Sequence, residues 1–246
     1  MPWFLRTFAR QSAEYNEIKE IKMSDKKNTK QGAEMEAPVE ESFVQKNLKK
    51  IGACLVGIVV ATCVAVASSY YFDKQNQKAA EALFPCEQLF REGNWETALN
   101  GNGQEVMGLV QVAKKYGSTK SGNLAKLYAG LAYAQQGKYE EAEKYLKDFD
   151  TKGDEMISPA ALGALGNVYA QLGQNDKAVE TLKKAAKKAD NVVLSPIYLV
   201  QAGEILEAEG KAGEALKLYE QVKNNYRASM QGNEIDKYIE RAKAAK

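Results

Sequence analysis

The apolar positions of this chain follow two patterns, one near the amino end and one over the rest. Residues 51–72 form an unbroken apolar run without a charged side chain. As an α-helix rising about 1.5 Å per residue, this run would be roughly 33 Å long. That length is enough to cross the hydrocarbon core of a bilayer. The run therefore predicts one transmembrane helix, residues 51–72, with membrane lipid around it.

Residues at the two ends of the run predict its orientation. The run closes on aromatic side chains, which favour a membrane–water interface. These are Tyr70, Tyr71 and Phe72. Lysines flank the other end, and fewer follow the run, which is a modest positive-inside signal. The flanking lysines are Lys46, Lys49 and Lys50, against Lys74 and Lys78. We therefore expect residues 1–50 in the cytoplasm and residues 73–246 on the other side.

Two processing alternatives concern the same run. Ala65-Val66-Ala67 resembles a signal-peptidase site, and cleavage after Ala67 would release the following domain. The segment ending at Cys63 faintly resembles a lipidation site, but Thr62 is a poor residue at that position. Both alternatives leave the carboxyl-terminal domain on the same side of the membrane.

Small side chains recur at every fourth position of the run. Such spacing lets another helix approach closely in lipid and predicts a pairing face. The alternative is a span that is merely rich in alanine and glycine. The face comprises Ala53, Gly57, Ala61, Ala65 and Ser69.

The segment before the run is polar and has no sustained period. Residues 23–41 are charged and poor in aromatic side chains, which predicts a disordered tail. Residues 1–22 differ, because aromatic side chains crowd near Met1. Met23 followed by Ser-Asp-Lys-Lys is the more natural start, so we interpret residues 1–22 as a mis-assigned start. The alternative is a short amphipathic helix that lies on the membrane.

The rest of the chain repeats a pattern of glycine, aromatic and alanine positions. The two clearest copies are Gly130, Tyr133, Gly137 and Ala142, and Gly166, Tyr169, Gly173 and Ala178. A third is Gly203, Leu206, Gly210 and Ala215, and a worn copy is Cys86, Leu89, Gly93 and Ala98. Apolar residues between these positions recur at helical spacing. Repetition every 36 to 37 residues over the last three copies predicts stacked helical hairpins.

Each position of the pattern has a physical role in a hairpin. We call the first helix of each hairpin helix A and the second helix B. The first glycine allows the two helices to pack closely, and the second ends helix A in a left-handed conformation. Ser158-Pro159 and Ser195-Pro196 predict the starts of two helices, with serine as the cap and proline in the first position. The glycine-rich stretch from Asn100 to Gly103 predicts a loop in the worn copy.

This pattern resembles the tetratricopeptide-repeat (TPR) family over about residues 79–225. The resemblance implies an α-solenoid of TPR helix hairpins, so the expected fold is all-α, with the single predicted transmembrane helix before the solenoid. The expected repeats and the carboxyl-terminal capping helix occupy 79–116, 123–156, 159–192, 196–229 and 231–244, within a domain of residues 73–246. The capping helix follows from an echo of Tyr116, Gly122 and Tyr128 in Tyr226, Gly232 and Tyr238.

The resemblance also implies a function, since TPR stacks bind proteins or peptides in a groove. Carrying the family register over places the groove at Leu131, Gln135, Asn167, Gln171, Glu204 and Glu207. Members that clamp a terminal carboxylate place lysine where this chain has Leu127, Gly163 and Val200. A chaperone tail is therefore not the expected ligand.

The layout of tail, span and TPR domain resembles the ancillary subunit of the bacterial Sec translocon. This resemblance implies the bacterial inner membrane, a periplasmic TPR domain and translocon subunits as partners. The alternative is a structural scaffold for another envelope machine, in cell-wall synthesis or secretion.

Composition argues against catalysis and nucleic-acid binding. The chain has no histidine, the commonest general base and metal ligand. Of three cysteines only Cys86 lies beyond the apolar run, so neither a disulfide nor a cysteine-rich metal site is expected there. Residues 73–246 carry 24 basic and 24 acidic side chains, unlike a nucleic-acid-binding surface. We expect no enzyme activity, no cofactor and no metal.

Overall fold

The computed structural model describes residues 43–103, 105–152 and 154–245. The predictions for the tail, namely disorder at residues 23–41 and a mis-assigned start at residues 1–22, lie outside these ranges. Within them the fold is built from helices. In chain order these are α1 (Phe43–Arg91), α2 (Trp95–Asn100), α3 (Leu109–Tyr116), α4 (Lys120–Gln135), α5 (Tyr139–Asp148), α6 (Ile157–Gln171), α7 (Asn175–Ala189), α8 (Ser195–Ala208), α9 (Ala212–Asn225) and α10 (Met230–Ala244).

Helix α1 contains the predicted span. Its stretch Asn47–Arg91 is long and apolar enough to cross a membrane, with a mean hydropathy of 2.4 in its most apolar window. None of that window is buried against protein in the structure. By length and composition, α1 is therefore compatible with a single-pass membrane anchor.

The segment Thr62–Lys246 forms one compact unit of stacked hairpins. Helices A of the repeats are the end of α1, α4, α6 and α8, and helix α10 closes the stack. Helix B is α5, α7 or α9, while the first repeat has the short α2 and then α3. Each helix packs against its neighbours in the chain from α2 onward, which is the arrangement of an α-solenoid. The all-α solenoid predicted from the sequence is confirmed.

A glycine ends each helix A. Gly93, Gly137, Gly173 and Gly210 have φ between 70° and 76°, a left-handed conformation that side chains disfavour. In each turn a later amide reaches back to helix A, as when Lys138 N donates to Tyr133 O at 2.9 Å. The sharp reversal lets helix B return along helix A.

The caps of α6 and α8 differ from the prediction, in which Ser158 and Ser195 cap the free amides. The Asp154 carboxylate caps α6 instead, accepting bonds from the amides of Met156, Ile157 and Ser158. The Asn191 side-chain oxygen accepts from Val193 N at 3.0 Å and Leu194 N at 2.8 Å before α8. Both caps stand four residues before the Ser-Pro pair, because the loop folds into a turn first.

The serines of these two pairs have other partners. Ser158 Oγ bonds to the Asp154 carboxylate, and Ser195 Oγ donates to Ala186 O of the preceding helix at 2.8 Å. Ser195 therefore ties α8 to α7 and caps neither.

The resemblance in sequence between the segments at residues 116–122 and 226–232 corresponds to a second type of cap. Thr119 and Ser229 accept from the amides of Gly122 and Gly232, at 3.0 and 2.9 Å. Each hydroxyl also donates to the carbonyl of the tyrosine three residues earlier, Tyr116 or Tyr226. Helices α4 and α10 therefore begin alike, whereas α6 and α8 share the other device.

The first repeat contains the expected loop. Helix α2 ends at Asn100 and α3 begins at Leu109, and Gly101 and Gly108 between them have positive φ. Cys86 lies in the core of this repeat with no exposed surface. Burial raises the pKa of its thiol, so it is a packing group and not a thiolate nucleophile.

Candidate protein-binding surface

Helices A share one stripe of equivalent positions, and neighbouring helices leave much of it uncovered on α6 and α8. We define this helix-A stripe by position relative to the glycine that packs on helix B, which is Gly130, Gly166 or Gly203. On each helix A the stripe consists of four residues. They are the residues six and two positions before that glycine and the residues one and five positions after it. Its members are Leu124, Tyr128, Leu131 and Gln135 on α4, Ala160, Ala164, Asn167 and Gln171 on α6, and Ile197, Gln201, Glu204 and Ala208 on α8.

The stripe is open on α6 and α8 and partly covered on α4. Asn167, Gln171 and Glu204 are exposed, and the flanking positions of both helices are mostly buried. On α4, Tyr128 packs edge-to-face on Phe90, with ring centroids 5.3 Å apart. Leu131 is half-buried in the apolar cluster between α4 and α6, and Gln135 is exposed. Of the predicted groove residues, the exposed polar ones therefore share the open stripe.

Gln201 is the residue of this stripe that sequence reasoning missed. Its side-chain oxygen is buried and accepts no hydrogen bond within the described part of the chain. Leaving such an acceptor unpaired costs about 1–3 kcal/mol. Gln201 lies three residues before Glu204, on the same face of α8. That spacing is the signal in the sequence that could have pointed to it.

Glu207 lies off the stripe, against the last hairpin. It follows Gly203 by four residues, whereas Gln135 and Gln171 follow their glycines by five. Its carboxylate accepts from the Tyr219 hydroxyl at 2.6 Å and from Arg241 Nε at 3.1 Å. Arg241 makes a second bond through its terminal nitrogen. Glu207 therefore joins α8 to α9 and α10.

The electrostatics of this cluster follow from the pairing. Its hydrogen bonds to Arg241 hold the pKa of Glu207 below the ordinary value, so the carboxylate stays charged. Burial, together with the negative Glu207, raises the pKa of Tyr219, whose hydroxyl remains a donor. These bonds occupy both oxygens of Glu207 within the stack.

The predicted pairing face on α1 is uncovered. Ala53, Gly57, Ala61, Ala65 and Ser69 are all exposed. A Cβ added at Gly57 would meet no atom within 4 Å. The face therefore has room for another helix.

The residues described contain no group of three or more histidine, cysteine, aspartate or glutamate side chains that could hold a metal. The stripe offers amide and carboxylate groups on a mostly apolar bed, which suits hydrogen bonding to a partner.

Comparison with known proteins defines the family. Residues 41–239 match the model of the tetratricopeptide repeat-like domain, and the chain belongs to that family. Proteins with such repeats are typically interaction scaffolds without catalytic activity. A search of curated proteins found no match.

A solved structure shows the same fold. It is a crystal structure of nearly identical TPR-like repeats of a kinesin light chain from Podosopora anserina. The two chains align with a TM-score of 0.53 at 19% identity, over 69% of this chain and 87% of the other. At this identity the likeness extends to the fold alone.

Proposed function

We propose that this protein is a single-pass membrane-anchored scaffold that holds a protein or peptide partner on the helix-A stripe of α6 and α8. The observation that carries the proposal is the row of exposed polar side chains on adjacent helices A, Asn167 and Gln171 on α6 and Glu204 on α8. Neighbouring helices leave these side chains free to bond to a partner, while the positions beside them are mostly buried.

The partner's chemistry follows from the stripe. Glu204 supplies a charged acceptor, and Asn167 and Gln171 supply both donors and acceptors. Ala160, Ala164 and Ile197 form the small apolar floor between them. An extended segment or a helix end with free backbone N–H groups and small side chains matches this set.

The anchor is the apolar part of α1. Residues 51–72 lie in lipid, residues 1–50 form the cytoplasmic tail, and residues 73–246 lie in the periplasm of a bacterial inner membrane. Lys49 and Lys50 before the span and Tyr70 to Phe72 at its other end support this orientation. The face from Ala53 to Ser69 pairs with a second span.

The cellular role we propose is that of an adaptor in envelope protein handling, beside the Sec translocon. Support comes from the layout, in which a short tail and one span carry a TPR domain. A structural scaffold for cell-wall synthesis or secretion would use the same layout, so the two roles are separated by their partners.

The test is photo-crosslinking of the full chain in native membranes. Photoreactive residues replace Asn167 or Glu204 on the stripe, and Lys184 or Lys217 on exposed faces of helices B serve as matched controls. We expect adducts from the two stripe positions only, with translocon subunits among them. Adducts with cell-wall or secretion machinery alone would favour the structural scaffold. Equal adducts from all four positions would reject the stripe as the binding surface.

A further inference from the structure

The two edges of the hairpin stack have different chemistry. One edge holds the loops that lead into α4, α6, α8 and α10, and we call it the A-start edge. The other edge holds the glycine turns that follow each helix A, and we call it the hairpin-turn edge. Because every helix A runs in the same direction as the end of α1, the A-start edge is the one from which residues 62–72 of α1 extend.

Exposed apolar side chains concentrate on the A-start edge. Beyond Phe72, the described residues include six exposed large apolar side chains, and five lie here. They are Met156, Ile157, Val192, Val193 and Met230, while the sixth is Phe84 on α1. Met156, Val193 and Met230 stand 37 residues apart and are 59%, 60% and 82% exposed. One apolar position therefore recurs on this edge at the starts of α6, α8 and α10.

The hairpin-turn edge is polar at the matching places. Its exposed residues include Glu92, Gly137, Lys138, Glu209 and Gly210. Since both edges consist of short surface loops, exposure alone does not explain the apolar side chains of one edge.

The A-start edge begins at the aromatic end of the apolar run. Asn76 Oδ1 accepts a hydrogen bond from Ser121 N at 2.8 Å, which fixes the start of α4 against α1. A cleft beside this bond is lined by Tyr71 and Phe72 from α1 and by Thr119 from the cap of α4. Asn76 follows Phe72 by four residues, or about 6 Å along the helix. The first loop of the edge therefore lies at the level of the predicted interfacial aromatics.

From there the edge continues through the stack. The start of α4 shares a cleft with the start of α6, lined in part by Leu124, Phe149 and Ile157. Asn123 exchanges two hydrogen bonds with the backbone of Asp150, at 2.9 and 3.0 Å, and holds these loops together. The Ser195 hydroxyl ties the start of α8 to the end of α7. The exposed apolar positions thus follow a surface that starts at Phe72.

We infer that the A-start edge rests on the lipid surface, with Met156, Val193 and Met230 inserted among the headgroups. This inference rests on the proposed anchor, because the span supplies the membrane. Amphipathic surfaces bind at the interface by burying apolar side chains while long basic side chains reach the headgroups. Lys120 and Lys152, both exposed, are placed on this edge to do so.

Lipid fits this edge better than a second copy of the chain. The apolar positions are two adjacent pairs, Met156-Ile157 and Val192-Val193, and the single Met230, and polar loop residues lie between them. Protein interfaces have closely packed, contiguous apolar centres. A fluid headgroup layer needs no shape complementarity, and the surface is continuous with the aromatic end of the span.

The test is nitroxide accessibility of the full chain at one copy per nanodisc, with phosphatidylethanolamine and phosphatidylglycerol as the lipids. Cys54 and Cys63 are replaced by alanine, and single cysteines replace Met156, Val193 or Met230. Lys138, Gln174 and Lys211 on the hairpin-turn edge provide matched control labels, and Val60 reports on the span. Collisions with a water-soluble nickel chelate and with oxygen are compared between nanodiscs and detergent.

The expected result is a loss of nickel collisions and a gain of oxygen collisions at the three A-start labels in nanodiscs, with none at the control labels. Nickel access equal to that of the control labels, with the Val60 label in lipid, would overturn this inference while leaving the anchor intact. A Val60 label in water would overturn both. If the labels lose nickel collisions only in discs that hold two chains, the edge contacts a second copy of the chain and the inference is wrong.

A variant supplies an independent readout. Met156→Ser, Val193→Ser and Met230→Ser together should return a label at Val192 to water without loss of helical circular dichroism. A control in which Lys138, Gln174 and Lys211 become serine should leave the Val192 label in lipid. Unchanged protection of Val192 in the first variant would contradict the inference.

Discussion

Gly166 lies so close to Leu182 that no side chain fits between their helices. A Cβ added at Gly166 would stand 2.7 Å from Leu182 Cγ, well inside van der Waals contact. Gly130 faces Leu146 and Gly203 faces Tyr219 in the same way, and each pair is sixteen residues apart. The helices of every clear hairpin are therefore in contact through a glycine.

This contact predicts that Gly166→Ala destabilises the domain. The added methyl group overpacks a core that cannot yield, at a cost of about 1–3 kcal/mol in the free energy of unfolding. Chemical denaturation followed by circular dichroism measures the change. In a Leu182→Ala background the same substitution should cost less, because the clash is removed. An equal cost in both backgrounds would mean that the clash is not the cause.

Replacement of Gln201 should separate stability from binding. Gln201→Leu removes an unpaired buried acceptor, so we expect the free energy of unfolding to rise by about 1–3 kcal/mol. The same variant should retain the adducts of a photoreactive residue at Glu204, because the buried oxygen does not contact a partner. Gln174→Leu, at the hairpin-turn edge, is the control and should not gain this stability. A Gln201→Leu protein that is less stable than the parent would contradict the structure.

The caps formed by Asp154 and Asn191 should contribute more to stability than the serines that the sequence predicts as caps. Asp154→Ala and Asn191→Ala each remove side-chain bonds to the amides at a helix start, and each should cost about 0.5–2 kcal/mol. Ser158→Ala should cost less than Asp154→Ala, since Ser158 caps no amide. Thermal unfolding of the three variants gives the ranking, and a larger loss for Ser158→Ala would reject the assignment.

The Glu207 cluster predicts a pH dependence of stability. The pKa of Glu207 is lower in the folded than in the unfolded chain, so its contribution is complete above the ordinary glutamate value of about 4.3. The contribution is lost as the pH falls through the folded-state pKa. The free energy of unfolding should therefore fall less steeply with decreasing pH in Glu207→Gln than in the parent; we call this fall the acid-side slope. Denaturation at several pH values between about 7 and 3 measures it.

Glu204→Gln, a matched change on the same helix, is the control for Glu207. The slope should remain steep in that variant, since Glu204 has no ion pair among the described residues. If Glu204→Gln flattens the slope as much as Glu207→Gln, the Arg241 pairing does not supply the stability.

The small-residue face of the span predicts contact with another helix. Gly57→Ile with Ala61→Ile fills that face, so a photoreactive residue at Ser68 should lose its adducts within the membrane. Val59→Ile with Val66→Ile adds bulk on the opposite side of the helix and should leave the adducts in place. Persistence of the adducts in both pairs of variants would rule out the pairing face.

The glycine and tyrosine positions of the repeats could be predicted because close approach and left-handed turns leave few residue choices. The long apolar helix α1 could be predicted because an uninterrupted run without charges is rare outside helices of this kind. The caps could not, since Asp154 and Asn191 look like any polar loop residue until the loop conformation is known. Serine next to proline predicted the starts of α6 and α8 to within one residue, but it did not identify the capping side chains.

The stripe was only partly predictable for a related reason. Asn167, Gln171 and Glu204 follow from helical spacing and the family register. The burial of the Gln201 oxygen depends on its neighbours in space, which the periodicity of the sequence does not reveal. The pairing of Glu207 with Arg241 joins residues 34 apart at positions of the repeat that are not equivalent. It belongs to the end of the stack, where the pattern changes.

The stacking of neighbouring helices has a kinetic consequence. From α2 onward, each helix makes its main contacts with helices one or two places away in the chain. Loop closure is then short for every step, and domains of this kind fold quickly for their size. Translation at about 5–20 residues per second is slower than such steps. Each hairpin can therefore complete itself on the one before it while the ribosome is still adding the next.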